Sequence, residues 1–383
     1  MKILFVCQQY IHSVRWINQL KDSHHEIFIF DCLDKAIHQE LKWTNYIEHW
    51  SKRKIRYIKG EYLLEKKAPK LFEKVEPFLK ITASEKLLEI INQIQPDLVH
   101  SLEMQSETYP LIKVRQKISF HWAYSSWGSD IYVYKNQSYH RKKLQKVFSK
   151  LNFLFVDNHR DVKLSKDLGF NNTVSGVFPG GGGYNLKRYK DYIVPIEDRN
   201  LILIKGYHHW AGRALFVLDA IENIVERIKD FDVYVYSAHP IVIEKIHELN
   251  NKYHLNIKYS SRYNQISQKD LLEKFGKAKI AIGNNISDGI PNTLLEAIIL
   301  GAFPIQSNPG KVTEDYIENN KNGFLIAAPE KSEEIANHII NAISNNELLA
   351  KAFKVNQEIA KNLEEKMIRE KVLVAYQTIE NSL

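Results

Sequence analysis

Cysteine is nearly absent from this 383-residue chain: it has two, Cys7 and Cys32, both in apolar stretches, with no Cys-x-x-Cys spacing. A disulfide framework is excluded, and both read as buried free thiols. Long apolar runs are missing too. None approaches the roughly 18 residues needed to cross a bilayer, and the opening MKILFVCQQYIH has too short an apolar stretch for a signal peptide. A soluble, cytoplasmic protein is expected. Internal repeats and low-complexity tails are lacking, as are helix-turn-helix, zinc-finger and RNP-like motifs, which leaves nucleic-acid binding without support.

What is present is an ordinary globular composition, 44% hydrophobic and 26% charged, long enough for two or three domains. The 15 histidines include two adjacent pairs, His24-His25 and His208-His209. Neighbours on a strand point to opposite faces, so neither pair is expected to share a metal. The net charge of +8 is concentrated: residues 42–80 hold eleven Lys/Arg against five Asp/Glu. Trp43, Trp50, Tyr46, Tyr57 and Tyr62 are interleaved there, which suits either a solvated helical face or a surface for an anionic membrane or a phosphorylated substrate.

KILFVC, a helical stretch, and HEIFIFD open the chain as a βαβ unit. PDLVHS, ISFHWAYSSWG, LNFLFVDN and NTVSGVFP continue the alternation, the mark of a parallel doubly wound sheet. Gly180 to Gly183 interrupt it. It then restarts with LILIKG, a helix through Ala214–Lys229, DVYVYSA, a helix from Ile241, LNIKYS, a helix from Gln268, KIAIGN, a helix from Asn292, FPIQS and GFLIAA. Helical sequence from about Ser332 closes the chain. Two open α/β halves predict a cleft, with ligands outside the carboxyl ends of the strands.

The most informative segment runs from Asn284 to Ile326. The strand KIAIGN delivers a loop, Ser287-Asp288-Gly289-Ile290-Pro291, and a helix beginning near Asn292 or Thr293 carries Glu296 in its first turn. Free N–H groups at such a helix start suit a diphosphate. Asp288 and Glu296, eight positions apart, can accept hydrogen bonds from hydroxyls on either side of it. Both also fit plain complementation of the helix dipole.

The order Asp288-x7-Glu296, Gly301-Ala302-Phe303-Pro304, Gly310 with Glu314, and Asn322-Gly323 resembles the donor-site signature of retaining family-4 glycosyltransferases. The resemblance implies the α/β GT-B fold, two Rossmann-like doubly wound domains facing across a cleft. They are expected at residues 1–185 (acceptor side) and 195–364 (donor side), with residues 365–383 packing back on the first. It assigns Glu296 to the donor ribose, and the backbone of Gly289, Ile290, Pro291, Asn292, Thr293 and Leu294 to the diphosphate and sugar. Asp288, where the family has Glu, falls to the transferred sugar.

The family's usual Arg and Lys are displaced in IKGYHHWAGRALFVLDAI, leaving Arg213 first and Lys205 second as phosphate ligands. Ile11-His12 with Arg15-Trp16 is similar to an opening found in some of these transferases, and Trp127-Gly128-Ser129-Asp130 stands where many have a His-Asp pair. His12 is expected either as a catalytic residue facing the cleft or as a hydrogen-bonded helix-entry residue, and Asp130 either as a catalytic residue touching the sugar or acceptor or as a helix N-cap. Metal independence and retention without a protein nucleophile follow from the resemblance, as does a nucleoside-diphosphate sugar as co-substrate, UDP ahead of GDP. A glycan or lipid-linked acceptor in bacterial surface polysaccharide synthesis is implied, at the inner face of the membrane. A GT-B-like sugar-nucleotide epimerase and a non-catalytic partner subunit are the alternatives.

Overall fold

The computed structural model describes residues 1–383, the side chain of residue 70 excepted. Its contacts divide the chain into two units, Met1–Asp157 with Asp161–Gly182 and Arg369–Leu383, and Asn158–Arg160 with Gly183–Ile368. Each is built on one wholly parallel sheet.

In the first unit the strands are β1 (Lys2–Val6), β2 (Glu26–Phe30), β3 (Asn45–Ile47), β4 (Leu98–Leu102), β5 (Trp122–Ser126), β6 (Phe153–Val156) and β7 (Val174–Val177), in the order β3-β2-β1-β4-β5-β6-β7. Apart from the exposed Lys2, β1 is buried along its length, as expected for a strand covered on both faces. β3 goes beyond the sequence reading. Only three residues long and part polar, it pairs along one edge, with β2, where a weak apolar signal suffices. Of the basic stretch that follows, Glu61–Lys67 and Pro69–Leu79 fold as helices, and residues 51–60 are irregular.

The second unit carries β8 (Leu201–Lys205), β9 (Asp232–Ala238), β10 (Lys258–Ser261), β11 (Ala278–Gly283), β12 (Phe303–Ser307) and β13 (Phe324–Ile326), ordered β10-β9-β8-β11-β12-β13. The strand order reverses between β8 and β11, where the carboxyl ends of the strands diverge and leave a crevice. The helix expected through Ala214–Lys229 is two helices, Ala214–Asn223 and Val225–Ile228. Ile224 breaks it, with φ −123°. The closing stretch forms Ser332–Ile343, Asn346–Lys361 and Glu365–Glu380.

Candidate active site

Lys205 ends β8, and the loop after β11 carries Asp288; both therefore stand at the β8/β11 reversal. Lys205 Nζ lies 3.9 Å from Asp288 Oδ2, with the lysine side chain 12% exposed. Asp288 is fixed from two further directions, accepting from Asn285 Nδ2 at 3.0 Å and from the Gly289 N–H at 3.0 Å. The helix Asn292–Leu300 starts without a side-chain cap on Pro291. At its mouth Gly289, Ile290 and Pro291 are buried, while Asn292 and Thr293 are half-exposed. Asn292 Oδ1 accepts from the Tyr184 hydroxyl at 3.2 Å. Leu294 belongs to the core beneath.

Glu296 is the fifth residue of this helix, in the second turn and not the first, because the helix begins at Asn292. It is buried, and its charge bears on the buried Tyr236 phenol, which hydrogen-bonds Thr293. Burial drives that phenol well above its ordinary range.

Arg213 is engaged elsewhere. Its Nε donates to Glu330 at 2.6 Å, and Nη1 donates to the carbonyls of Gly212 (2.9 Å) and His209 (3.1 Å). The guanidinium thus holds together the loop that enters the helix Ala214–Asn223. That loop is zipped to the one bearing Asp288: the Ile286 N–H donates to Ala211 O at 2.8 Å and the Arg213 N–H to Asn284 O at 2.8 Å. Gly212 is required there, since a Cβ would stand 2.4 Å from Tyr207 O.

A cationic group absent from the sequence reading adjoins Lys205. Tyr207 receives a hydrogen bond from Arg262 Nη1. Arg262 Cζ lies 4.6 Å from its ring centroid and Lys205 Nζ 4.7 Å. The His209 and His239 rings, 5.4 Å apart, complete the group. His209 is held below its usual pKa by burial, then by His239, Lys205 and Arg262. Arg262 follows β10, two strands away from β8, and no local pattern marks it.

His12 and Asp130 lie in the first unit. His12 is half-buried in the helix Ile11–Asn18, its ring 5.8 Å from that of Trp127. Asp130 is buried, accepting from the Tyr124 hydroxyl, and the Ser126 hydroxyl lies 3.2 Å from one Asp130 oxygen and 3.1 Å from Asp161. Burial pushes Asp130 up to about 7.

The histidine pairs depart from expectation. His24 and His25 precede β2 in a turn, their ring centroids 4.1 Å apart. Their nitrogens lie within 4.8 Å of each other and of a Glu380 oxygen, so the reading that they could not share a metal is corrected. Glu380 there pairs with the Met1 ammonium at 2.9 Å. His208 and His209 likewise sit in the loop after β8, not on a strand. An Asp230-Phe231-Asp232 triplet stands at the entry of β9, the opposite end from Lys205 and Asp288.

Residues 2–158 match the family described as Glycosyl transferase 4-like, and residues 243–359 match Glycosyl transferases group 1. No protein of curated function matches the sequence. Among solved structures, the sucrose-phosphate synthase of Thermosynechococcus elongatus aligns over 100% of both chains at 14% identity and TM-score 0.71. The lipopolysaccharide outer core galactosyltransferase WaaB, in its apo form, aligns over 99% of both at 14% identity and TM-score 0.68. Anabaena Alr3699/HepE in complex with UDP-glucose aligns over 100% of this chain and 99% of that one, at 13% identity and TM-score 0.65. The chain has the GT-B fold and carries a glycosyltransferase domain in each half.

Proposed function

We propose that this GT-B glycosyltransferase moves a sugar from a nucleoside-diphosphate sugar, UDP ahead of GDP, to a glycan or lipid-linked acceptor, retaining anomeric configuration without a metal. One observation carries the reading: at the β8/β11 reversal a lysine, an aspartate and the open N-terminus of a nine-residue helix converge. Cleaving the anomeric C–O bond builds negative charge on the departing diphosphate. Lys205 and the Asn292–Thr293 N–H groups meet that charge with dipoles already in place. Glu296 takes the ribose hydroxyls and Asp288 those of the transferred sugar. The HepE complex with UDP-glucose supports the choice of donor. Arg213 acts by shaping the loop around Lys205. In the first unit His12 is assigned to the acceptor hydroxyl, and Asp130 to positioning through Tyr124 and Ser126.

The acceptor is assigned to bacterial surface polysaccharide, in keeping with the likeness to WaaB. Residues 51–60 (SKRKIRYIKG) are exposed throughout, and Ile55, Tyr57, Ile58, Tyr62 and Leu63 project among lysines and arginines. That composition supports docking on an anionic membrane, with aromatics at the headgroup level and cations over the lipid phosphates. No helix among the described residues is long and apolar enough to cross a membrane.

A thermal-shift panel of UDP, GDP, ADP and their sugar conjugates tests the donor. A ligand at about 100 times its Kd adds roughly 2.7 kcal/mol. UDP is expected to raise the melting temperature of the wild type and to leave Glu296→Ala unmoved. No shift with any nucleotide would favour the non-catalytic partner subunit. Sedimentation with phosphatidylglycerol vesicles at low and high salt tests the docking: binding that resists salt, or is missing, refutes it.

A further inference from the structure

Five groups crowd the carboxyl ends of β8, β9 and β10: Lys205, Tyr207, His209, His239 and Arg262. The Tyr207 ring is the hub. Lys205 Nζ and Arg262 Cζ both come within 5 Å of its centroid, at 4.7 and 4.6 Å, and the His209 and His239 rings lie 5.8 and 5.7 Å away. Two basic side chains are therefore gathered at one aromatic ring. The carboxylate paired with them among the described residues is that of Asp288, 3.9 Å from Lys205; Arg262 has none.

Like charges so placed repel, and cation–π attraction offsets this only in part. An arriving anion relieves the rest. The fork is also pre-set. The Arg262 backbone N–H donates to Ala238 O at 2.8 Å and fixes the main chain, while Nη1 donates to the Tyr207 hydroxyl and orients the planar guanidinium with donors left over. Arg213, by contrast, already has Glu330.

We propose that Arg262 is the second cation for the donor diphosphate, acting with Lys205, and that Tyr207 is the positioning residue that holds it there. This rests on the nucleotide-sugar reading above. The His209 and His239 rings line the same group and add no competing anion, and burial holds His209 below its usual pKa.

Calorimetry on the full chain with UDP, uridine and inorganic pyrophosphate separates the outcomes. Arg262→Gln is expected to weaken UDP about tenfold or more, the loss of a charge-assisted hydrogen bond. Uridine, which lacks phosphates, should bind the variant as it binds the wild type. Tyr207→Phe keeps the ring and should lose less. Lys229→Ala, a surface lysine paired with Glu226, should bind UDP like the wild type. Equal UDP affinity in wild type and Arg262→Gln overturns the assignment, as does an equal loss of uridine. A wild type that binds pyrophosphate but not UDP overturns the nucleotide reading and leaves the anion site standing. One that binds neither overturns both.

Discussion

The Tyr376 hydroxyl lies 2.7 Å from His100 Nδ1, joining the chain's last helix to the middle of its first sheet across 276 positions. The same hydroxyl accepts from Trp16 Nε1 at 3.0 Å, and His100 Nε2 lies 2.9 Å from Ser125 Oγ. All four side chains are buried. With Tyr376 donating to Nδ1, the proton of the neutral imidazole sits on Nε2 and donates to Ser125. Burial keeps that ring neutral, lowering it to about 3.

Tyr376→Phe removes one oxygen and strands two buried groups, the Trp16 N–H and His100 Nδ1. Each unmet polar group costs about 1–3 kcal/mol. Urea denaturation should show a loss in that range or above it. A change under about 0.5 kcal/mol would contradict the network.

Glu107, fully buried, accepts from the Cys32 N–H at 3.2 Å, and its second oxygen lacks a partner. Burial, reinforced by Asp31 and Glu103, raises it from 4.5 to about 8. The native state keeps a proton that the unfolded state releases near 4.5, so the stabilisation is complete below that pH and is lost as pH rises through 8. Glu107→Gln, always neutral, should gain on the wild type as pH goes from 5 to 8, by about 1–3 kcal/mol. A pH-independent difference would refute this.

Gly212→Ala places a methyl 2.4 Å from Tyr207 O, a backbone atom, so the loop beside Lys205 must move. Strain of about 1–3 kcal/mol is expected, together with weaker UDP binding. Gly276→Ala meets Tyr192 O at 1.9 Å, just before the start of β11, the opposite end from the loop that carries Asp288. It should destabilise comparably and leave UDP affinity unchanged, so parallel melting and titration of the two variants separate them.

Asp288→Asn frees Lys205 from its carboxylate while keeping nearly the same shape. UDP affinity should hold or rise, and kcat should fall about tenfold or more, because the transferred sugar loses a charged acceptor. A matching loss of UDP affinity would place Asp288 on the nucleotide instead.

Much of the fold is legible in local pattern. Short apolar runs alternating with amphipathic helices mark both sheets, and the Asp288–Glu296 spacing marks the loop-helix junction. β3 was not legible, since Asn45–Ile47 is too short to show a period. The break at Ile224 was also hidden, having neither proline nor glycine to signal it. The His24-His25 pair misled because alternation holds on a strand, and this pair occupies a turn.

The cation beside Lys205 shows the division most clearly. Sequence by itself determined that the chain makes two parallel α/β halves and where the helix after Pro291 begins. Which basic residue stands by Lys205 was decided by tertiary structure. Arg213, close in sequence, is drawn to Glu330, whereas Arg262 reaches Tyr207 across 55 positions. Parallel crossovers set the ends of strands distant in sequence side by side, and a side chain's partner depends on that adjacency rather than on its neighbours along the chain.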